Sequence, residues 1–342
     1  MIAVTLLALF SPPAAHAQGI VNGVEEDAFP AAVGLGVDLG EYKLSACSGS
    51  LITPQVVLTA AHCGGDYPLE LVLQVGVAFF GSNVESADRV VGFSDLVVHP
   101  DYEPLEEGGV HPGEDYWDRL GKNDVALLVL EEAVDVQPVW FRTDSLDEAA
   151  LDEEVTSVGF GVTSASGSGA GVKRSAPLIV DTVSEMFLIS YSATNTSNAN
   201  VCSGDSGGPQ YHYQGKEWTQ WAVHSWADQS CSSMSGSTRT DNVSEWILDT
   251  LEEIHGSRDR CEIWDIYDDG ECDEDCDEPD PDCDVAATDD TGGGAGGGED
   301  TAAADESKGG CACSATAPVG RTWAWLALGA LIGWRRRFDR VE

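Results

Sequence analysis

CSGDSGGP, residues 202–209, sets Ser206 directly after an acid and among three glycines, Gly204, Gly207 and Gly208. Glycines with no Cβ let a tight turn bring its backbone close to another molecule. A serine hydroxyl is a poor nucleophile near neutral pH and needs an adjacent base to take its proton. Upstream, LTAAHC (58–63) offers His62 and NDVALLVL (123–130) offers Asp124. An imidazole titrates in the right range to take a proton and return it to a leaving amine. A carboxylate beside it would fix the tautomer and stabilise the imidazolium without taking the proton itself.

Outward from these motifs, residues 20 to 240 alternate short β-rich runs with turns. LELVLQVGVAFFG, RVVGFSDLVV, DVALLVL, EVTSVGFGVT and QWAVHSWA are rich in Val, Leu, Phe and Trp, with Gly, Pro, Asp and Ser between them. This pattern predicts an antiparallel, all-β body. NVSEWILDTLEEIH then carries Val243, Trp246, Ile247, Leu251 and Ile254 at helical spacing, with Asn242 or Ser244 as the expected cap.

Taken in the order His, Asp, Ser, the three motifs resemble the trypsin/chymotrypsin family of serine endopeptidases over roughly residues 20–257. IVNG (20–23), HPDY (99–102), GFG (159–161), SWA (225–227) and the final helix belong to the same resemblance. It implies two antiparallel six-stranded β-barrels with a C-terminal helix, and a catalytic triad of His62, Asp124 and Ser206. It further implies an oxyanion hole from the N–H groups of Gly204 and Ser206, with Ser225 supporting Asp124, and disulfides Cys47–Cys63 and Cys202–Cys231. Such chemistry needs no metal or other cofactor. In the family, a freed N-terminal ammonium inserts beside the acid before the nucleophile; here that pair is Ile20 and Asp205. The same resemblance puts Asn200 at the floor of the specificity pocket, with Ser203, His224, Ser225 and Ala227 around it. A neutral Asn where trypsin-like members carry Asp argues against Arg/Lys specificity. His224 and Ser203 match residues that glutamyl endopeptidases use, which leads to an expected cut after Glu or another polar residue.

Composition bounds the rest. The 342 residues carry 59 acidic against 17 basic side chains, a formal net charge of -42. That field repels phosphate backbones and excludes nucleic acid as the natural partner. IAVTLLALF (2–10), then Pro12-Pro13 and small residues, reads as a secretory signal. Export puts the ten cysteines in an oxidising compartment. Cleavage by signal peptidase fits after Ala17 or after Gly19; the second would free Ile20 in the same cut. The expected division is signal peptide 1–19, protease domain 20–257, Cys/Asp-rich module 261–284, flexible linker 285–310 and anchor segment 311–342.

In the module, Cys261, Cys272, Cys276 and Cys283 allow three pairings into two bridges. Asp265, Asp269 and Gly270 match part of a calcium-loop pattern, but Tyr267 and Cys276 stand where acids belong. GGCAC followed by a short apolar run and Arg335-Arg336-Arg337 resembles a myxobacteria-type C-terminal sorting signal, with Cys311 or Cys313 as the residue a sorting or lipidation machinery would process. Trp323–Trp334 spans only 12 residues, against the roughly 20 that a membrane helix takes. Together these features imply an exported bacterial serine endopeptidase, held at the outer membrane or cell surface, acting on proteins or peptides. The contrasting reading is an inactive protease-like binding or adhesion module.

Overall fold

The computed structural model describes residues 19–104, 122–273 and 276–283. The signal segment, the linker, the anchor segment with Cys311 and Cys313, and His111 lie outside the described residues.

Six strands form a closed antiparallel barrel in the order β2 (Ala32–Asp38), β3 (Lys43–Thr53), β4 (Val56–Thr59), β7 (Ala126–Leu130), β6 (Arg89–Val98) and β5 (Gly76–Phe80). A second antiparallel sheet runs β1 (Val24–Glu25), β9 (Arg174–Ile179), β8 (Glu154–Gly159), β12 (Pro209–Tyr213), β13 (Trp218–Ala227), β14 (Met234–Arg239), β11 (Phe187–Tyr191) and β10 (Thr182–Val183). Six of these are the expected second barrel; β1 and β10 are two-residue additions at its ends. This second sheet is not hydrogen-bonded into a closed ring; the chain itself links its two ends. β9 lies near one end of the sheet and β10 at the other, yet only Val180 and Asp181 separate them in sequence. Asp181 N–H donates to the Ile189 carbonyl at 2.9 Å, turning the bend onto β11.

β3 explains how the halves meet. A half-exposed strand would alternate apolar and polar, but its last seven residues, Cys47 to Thr53, are all buried. Cys47 and Leu51 fill the first barrel. Ser48, Ser50 and Ile52 point the other way, where Ser50 Oγ and Tyr211 Oη share a 2.6 Å hydrogen bond. At the interface the small hydroxyls of β3 thus lie among apolar contacts such as Ala32 with Val158 and Tyr211, and Phe79 with Phe160.

The helix Ser244–His255 buries Ile247 and Leu251 against Ile52, Leu58 and Leu127, as its spacing predicts. The caps differ from expectation. Ser244 Oγ donates back to the Asp241 carbonyl and Asn242 Nδ2 donates to the Glu185 carbonyl, so neither side chain caps the helix start. A second departure is LELVLQV, expected as strand and found as the helix Leu69–Val75. Leu, Glu and Gln favour helix, Val72 and Val75 repeat on one face, and Gly76 lets the chain turn into β5, since a Cβ there would lie 2.5 Å from the Val72 carbonyl.

Of the three pairings open to the tail cysteines, the structure has Cys261–Cys276 and Cys272–Cys283. The module is docked at its start: in the helix Arg260–Trp264, Cys261 is fully buried and Trp264 Nε1 donates to the Ile52 carbonyl at 2.9 Å. Its carboxylates serve as turn caps, Asp269 accepting from Glu271 N–H and Asp282 from Gly270 N–H. Among the described residues no three carboxylates converge as a metal-ligand cluster.

Candidate active site

His62 sits in a one-turn helix, Ala61–Cys63, just after β4. The disulfide Cys47–Cys63 ties that turn to β3. Asp124 comes from the turn before β7. Asn123 adopts a left-handed conformation there, φ 49°, which Asn tolerates better than most residues, and its side chain donates to the Asp101 carbonyl at 3.1 Å. The turn brings both oxygens of buried Asp124 onto His62. Oδ1 accepts from the His62 backbone N–H at 3.0 Å, and Oδ2 lies 2.8 Å from Nδ1. Ser225 Oγ donates to the same Oδ2 at 2.6 Å. Burial pulls the His62 pKa down, but the hydrogen bond and charge of Asp124, with the charge of Asp66, outweigh it and hold it above 6.5.

Ser206 is reached from the other half. Its carbonyl accepts from Ser48 N–H at 2.8 Å and lies 3.5 Å from the Cys63 sulfur, the residue next to His62. Among the described residues no hydrogen bond closes between Ser206 Oγ and the imidazole. Such contacts commonly tighten only when substrate binds. Gly207 has to be glycine: its φ is +80°, and a Cβ would lie 2.1 Å from Thr59 Oγ1.

The peptide between Ser203 and Gly204 is fixed by what surrounds it. Ser203 O accepts from Val162 N–H at 2.9 Å. Because a peptide is planar and trans, Gly204 N–H is turned to the side away from Val162. The Gly204 carbonyl accepts from Ser48 Oγ, which itself accepts from Phe160 N–H, both at 2.9 Å. Ser48 thus links β3 to three points of the second half. Sequence reasoning missed it, although its place beside Cys47 in the disulfide was the available signal.

Asp205 is fully buried. Its oxygens accept from Gly161 N–H and Cys202 N–H, each at 2.8 Å. Burial pushes its carboxyl up to about 7, against the pull of those two amides and the charge of Arg174. Ile20 is also fully buried, in the cluster that holds Ala199 and Val201, and the Val21 carbonyl accepts from Asn200 N–H at 3.2 Å. The chain start is thereby laid against the run that leads into the Ser206 turn.

The pocket residues are brought together in and beside β13 and β14. Asn200 is fully buried; its Nδ2 donates to the Met234 carbonyl at 3.2 Å while Oδ1 has no partner. His224 is buried with Nδ1 3.0 Å from Ser237 Oγ, and its Nε2 is unpartnered. Burial pushes His224 down to about 3. Ser235 Oγ is also buried without a partner, whereas Ser203 is exposed and Ala227 half-buried. Cys202–Cys231 braces the loop, and Asp228 caps it by accepting from the N–H groups of Ser230, Ser232, Ser233 and Met234. Ser237 and the Asp228 cap were not anticipated from sequence. Of the histidines without an expected role, His99 packs on Trp246 and His212 stacks on Trp221.

Comparison with known proteins agrees with this geometry. The family model described as Trypsin matches residues 20–247. The chain is 29% identical over 173 residues to "Trypsin" of Saccharopolyspora erythraea, covering 48% of this chain and 69% of that protein. It is 24% identical over 216 residues to "Venom serine protease 34" of Apis mellifera, covering 59% and 51%. It is 29% identical over 227 residues to "CLIP domain-containing serine protease B10" of Anopheles gambiae, covering 60% and 61%. The chain thus spans from about half to about two thirds of the length of these relatives.

Proposed function

The chain belongs to the trypsin family of serine endopeptidases, and from that premise we propose that it hydrolyses peptide bonds through an acyl-enzyme on Ser206. His62 takes the Ser206 proton and delivers it to the leaving amine. Asp124 holds the imidazole tautomer, and Ser225 holds Asp124. The N–H groups of Gly204 and Ser206 receive the oxyanion; in sites of this kind one such donor is worth about 3 kcal/mol. The observation that carries the reading is the hydrogen-bonded run Ser225–Asp124–His62 at 2.6 and 2.8 Å, beside a serine turn with a fixed Gly204 peptide. No cofactor enters this chemistry. Labelling by a fluorophosphonate, abolished in Ser206→Ala, tests it. An unlabelled, correctly folded protein would instead favour the inactive binding or adhesion module.

Activation follows from the buried acid. A carboxylate without a cation is costly in this setting, and a free Ile20 ammonium would supply the partner for Asp205. In the uncut chain Ile20 holds φ 37°, a left-handed angle that a β-branched residue avoids. That angle loses its steric meaning when no carbonyl precedes it, which favours cleavage between Gly19 and Ile20. Signal peptidase would then export and activate the enzyme in one cut, with no separate proenzyme stage. Amino-terminal sequencing decides the point; a fully active form starting at Gln18 would reject it.

Substrate preference is read as Glu or another polar residue before the scissile bond. The support is a pocket with neutral Asn200 and His224, where the carboxylate beside Asn200, that of Asp228 with Oδ1 3.5 Å from Asn200 Nδ2, is occupied by the N–H groups of its own loop. A peptide-library profile dominated by Arg and Lys would eliminate this. The module at 261–284, the linker and the Cys-containing tail are read as tethering the protease domain, 20–257, to the cell surface, through processing at Cys311 or Cys313. Among the described residues no helix is long and apolar enough to cross a membrane.

A further inference from the structure

Arg174 on β9 is a buried cation that the catalytic chemistry does not use; its side chain is 3% exposed. Two backbone pairings set its place in the sheet: Glu25 of β1 on one side and Gly159 of β8 on the other. Residues directly opposite in antiparallel strands put their side chains on the same face. Glu25, Arg174 and Gly159 therefore form one row across three strands. Asp205 fills the place that a side chain at Gly159 would take, since a Cβ there would lie 2.2 Å from Asp205 Oδ1. The buried acid before the nucleophile thus stands on the same face as a buried guanidinium, one strand away.

The surroundings of Arg174 orient it without cancelling its charge. Nη1 donates to the carbonyls of Gly169 and Val172 at 2.9 and 3.0 Å, both neutral acceptors. Nη2 donates to Glu25 Oε1 at 3.3 Å, but that side chain is 65% exposed and water screens the pair. Nε is buried without a hydrogen bond. Burial lowers the Arg174 pKa, opposed by the charge and hydrogen bond of Glu25 and by the charge of Asp205. A guanidinium nevertheless keeps its proton in proteins, and its charge draws the Asp205 carboxyl down against the effect of burial.

The charge state of Asp205 matters to the turn that follows it. Its oxygens accept from Gly161 N–H and Cys202 N–H, and an ionised acceptor makes the stronger bonds. Gly161 leads into Val162, whose N–H fixes the Ser203 carbonyl, and Cys202 opens the nucleophile loop. Both ends of the turn that presents Gly204 N–H thus hang on one carboxylate. These bonds are in place while Ile20 is still joined to Gly19.

We propose that Arg174 is a positioning residue, a counter-charge built into the sheet that holds Asp205, and through it the Ser206 turn, in working order before Ile20 is freed. The inference rests on the endopeptidase reading and goes beyond it: the uncut chain is a slow protease, and the cut raises its rate rather than creating it. Arg174 acts through Asp205, not on the reacting atoms. Once a free Ile20 ammonium reaches Asp205, the arginine is redundant for the turn.

The test compares the chain begun at Gln18, where Ile20 is still joined to Gly19, with the chain begun at Ile20, in kcat and KM on one peptide substrate. The Gln18 form is expected to show about a hundredth to a tenth of the kcat of the Ile20 form, as a partly populated working turn gives. Arg174→Gln should lower kcat of the Gln18 form by about tenfold more, and that of the Ile20 form by less than about threefold, because a neighbouring charge moves a carboxyl by a unit or more. KM should hold in both. Arg174→Lys, which keeps the charge, should restore most of the lost rate. A merely structural arginine would cost both forms alike. Equal loss in the two forms overturns the proposal, as does no loss in either, or a lysine variant as slow as the glutamine one. A Gln18 form that is inert, or as fast as the Ile20 form, also overturns it. Should Arg174→Gln fail to fold, Glu25→Gln decides at an exposed position. It removes the acid that competes for Arg174 and should raise kcat of the Gln18 form by about two- to threefold with the Ile20 form unchanged; an unchanged Gln18 form overturns the proposal. Failure of the endopeptidase reading is distinguishable: neither form cuts peptide, Ser206 takes no fluorophosphonate in either, and the inference falls with it.

Discussion

Around Asp124 the polar atoms of the acid–base chain are partnered; around Asn200 and His224 they are not. Asp124 uses both oxygens on His62 and Ser225, whereas Asn200 Oδ1, His224 Nε2 and Ser235 Oγ are buried without hydrogen bonds. A buried polar atom left unpaired costs free energy. The run Ser225–Asp124–His62 is therefore already joined, as electrostatic preorganisation demands, while the step from His62 to Ser206 is still open and three buried polar atoms near Asn200 and His224 have no partner.

The comparison breaks most easily at the catalytic corner. Ser206→Ala or His62→Ala should each lower kcat by more than about 10⁴-fold, and Asp124→Asn by about 10⁴-fold, because the imidazole is then held in the wrong tautomer. Single-turnover kinetics on a peptide substrate checks this; a variant that keeps a tenth of the activity would remove that residue from the mechanism. Next in size is the pocket. His224→Val should change the ranking of residues before the scissile bond by about tenfold while fluorophosphonate labelling of Ser206 persists. Loss of both together would mean that the pocket and the catalytic corner are not separable.

pH sharpens the contrast, since the two histidines move in opposite directions. His62 must be neutral to act as base, and its pKa is held above 6.5. The acid limb of kcat/KM should therefore have its midpoint above 6.5, and Asp66→Asn should move it down. For stability, a raised folded pKa means that the contribution of His62 is fully present below 6.5 and fades as pH rises through the folded value. His224 has the opposite sign. Its folded pKa is about 3, so the unfolded chain binds the extra proton between about 3 and 6.5 and stability falls as pH drops through that window. In denaturant titrations across pH 4 to 7, wild type should lose stability relative to His224→Val as pH falls.

Asp205 gives a smaller but diagnostic effect. In the uncut chain its pKa of about 7 lies above the ordinary 3.8, so stability falls as pH rises between those values. A free Ile20 ammonium should remove that slope. Comparing the melting of a chain kept uncut with one beginning at Ile20 measures it. Least is expected from the docked module: Trp264→Phe loses one hydrogen bond to Ile52, about 1 kcal/mol of stability, with kcat unchanged.

Legibility in the sequence followed the same division. His62, Asp124 and Ser206 could be read because each lies in a short motif whose chemistry dictates its neighbours. The two barrel disulfides came with the family resemblance, and the alternating β runs announced the sheets. What was not legible depends on distant partners. Ser237 matters because β14 sets it against His224, and Ser48 because β3 is sandwiched between the halves. LELVLQV reads equally well as strand or helix, since short apolar runs carry no decisive period; packing against Phe93 and Gly76 decides it. The pairing of the tail cysteines is a matter of spatial reach that spacing alone does not encode.

The bend at Val180–Asp181, which lets one stretch of chain serve both ends of the second sheet, has a consequence for crowding. Among the described residues one half is a closed ring, and the outermost strands of the other are the two-residue Val24–Glu25 and Thr182–Val183. Long bare strand margins are where neighbouring molecules zip together into aggregates. Ending a sheet in strands this short shortens the margin on which another copy could template.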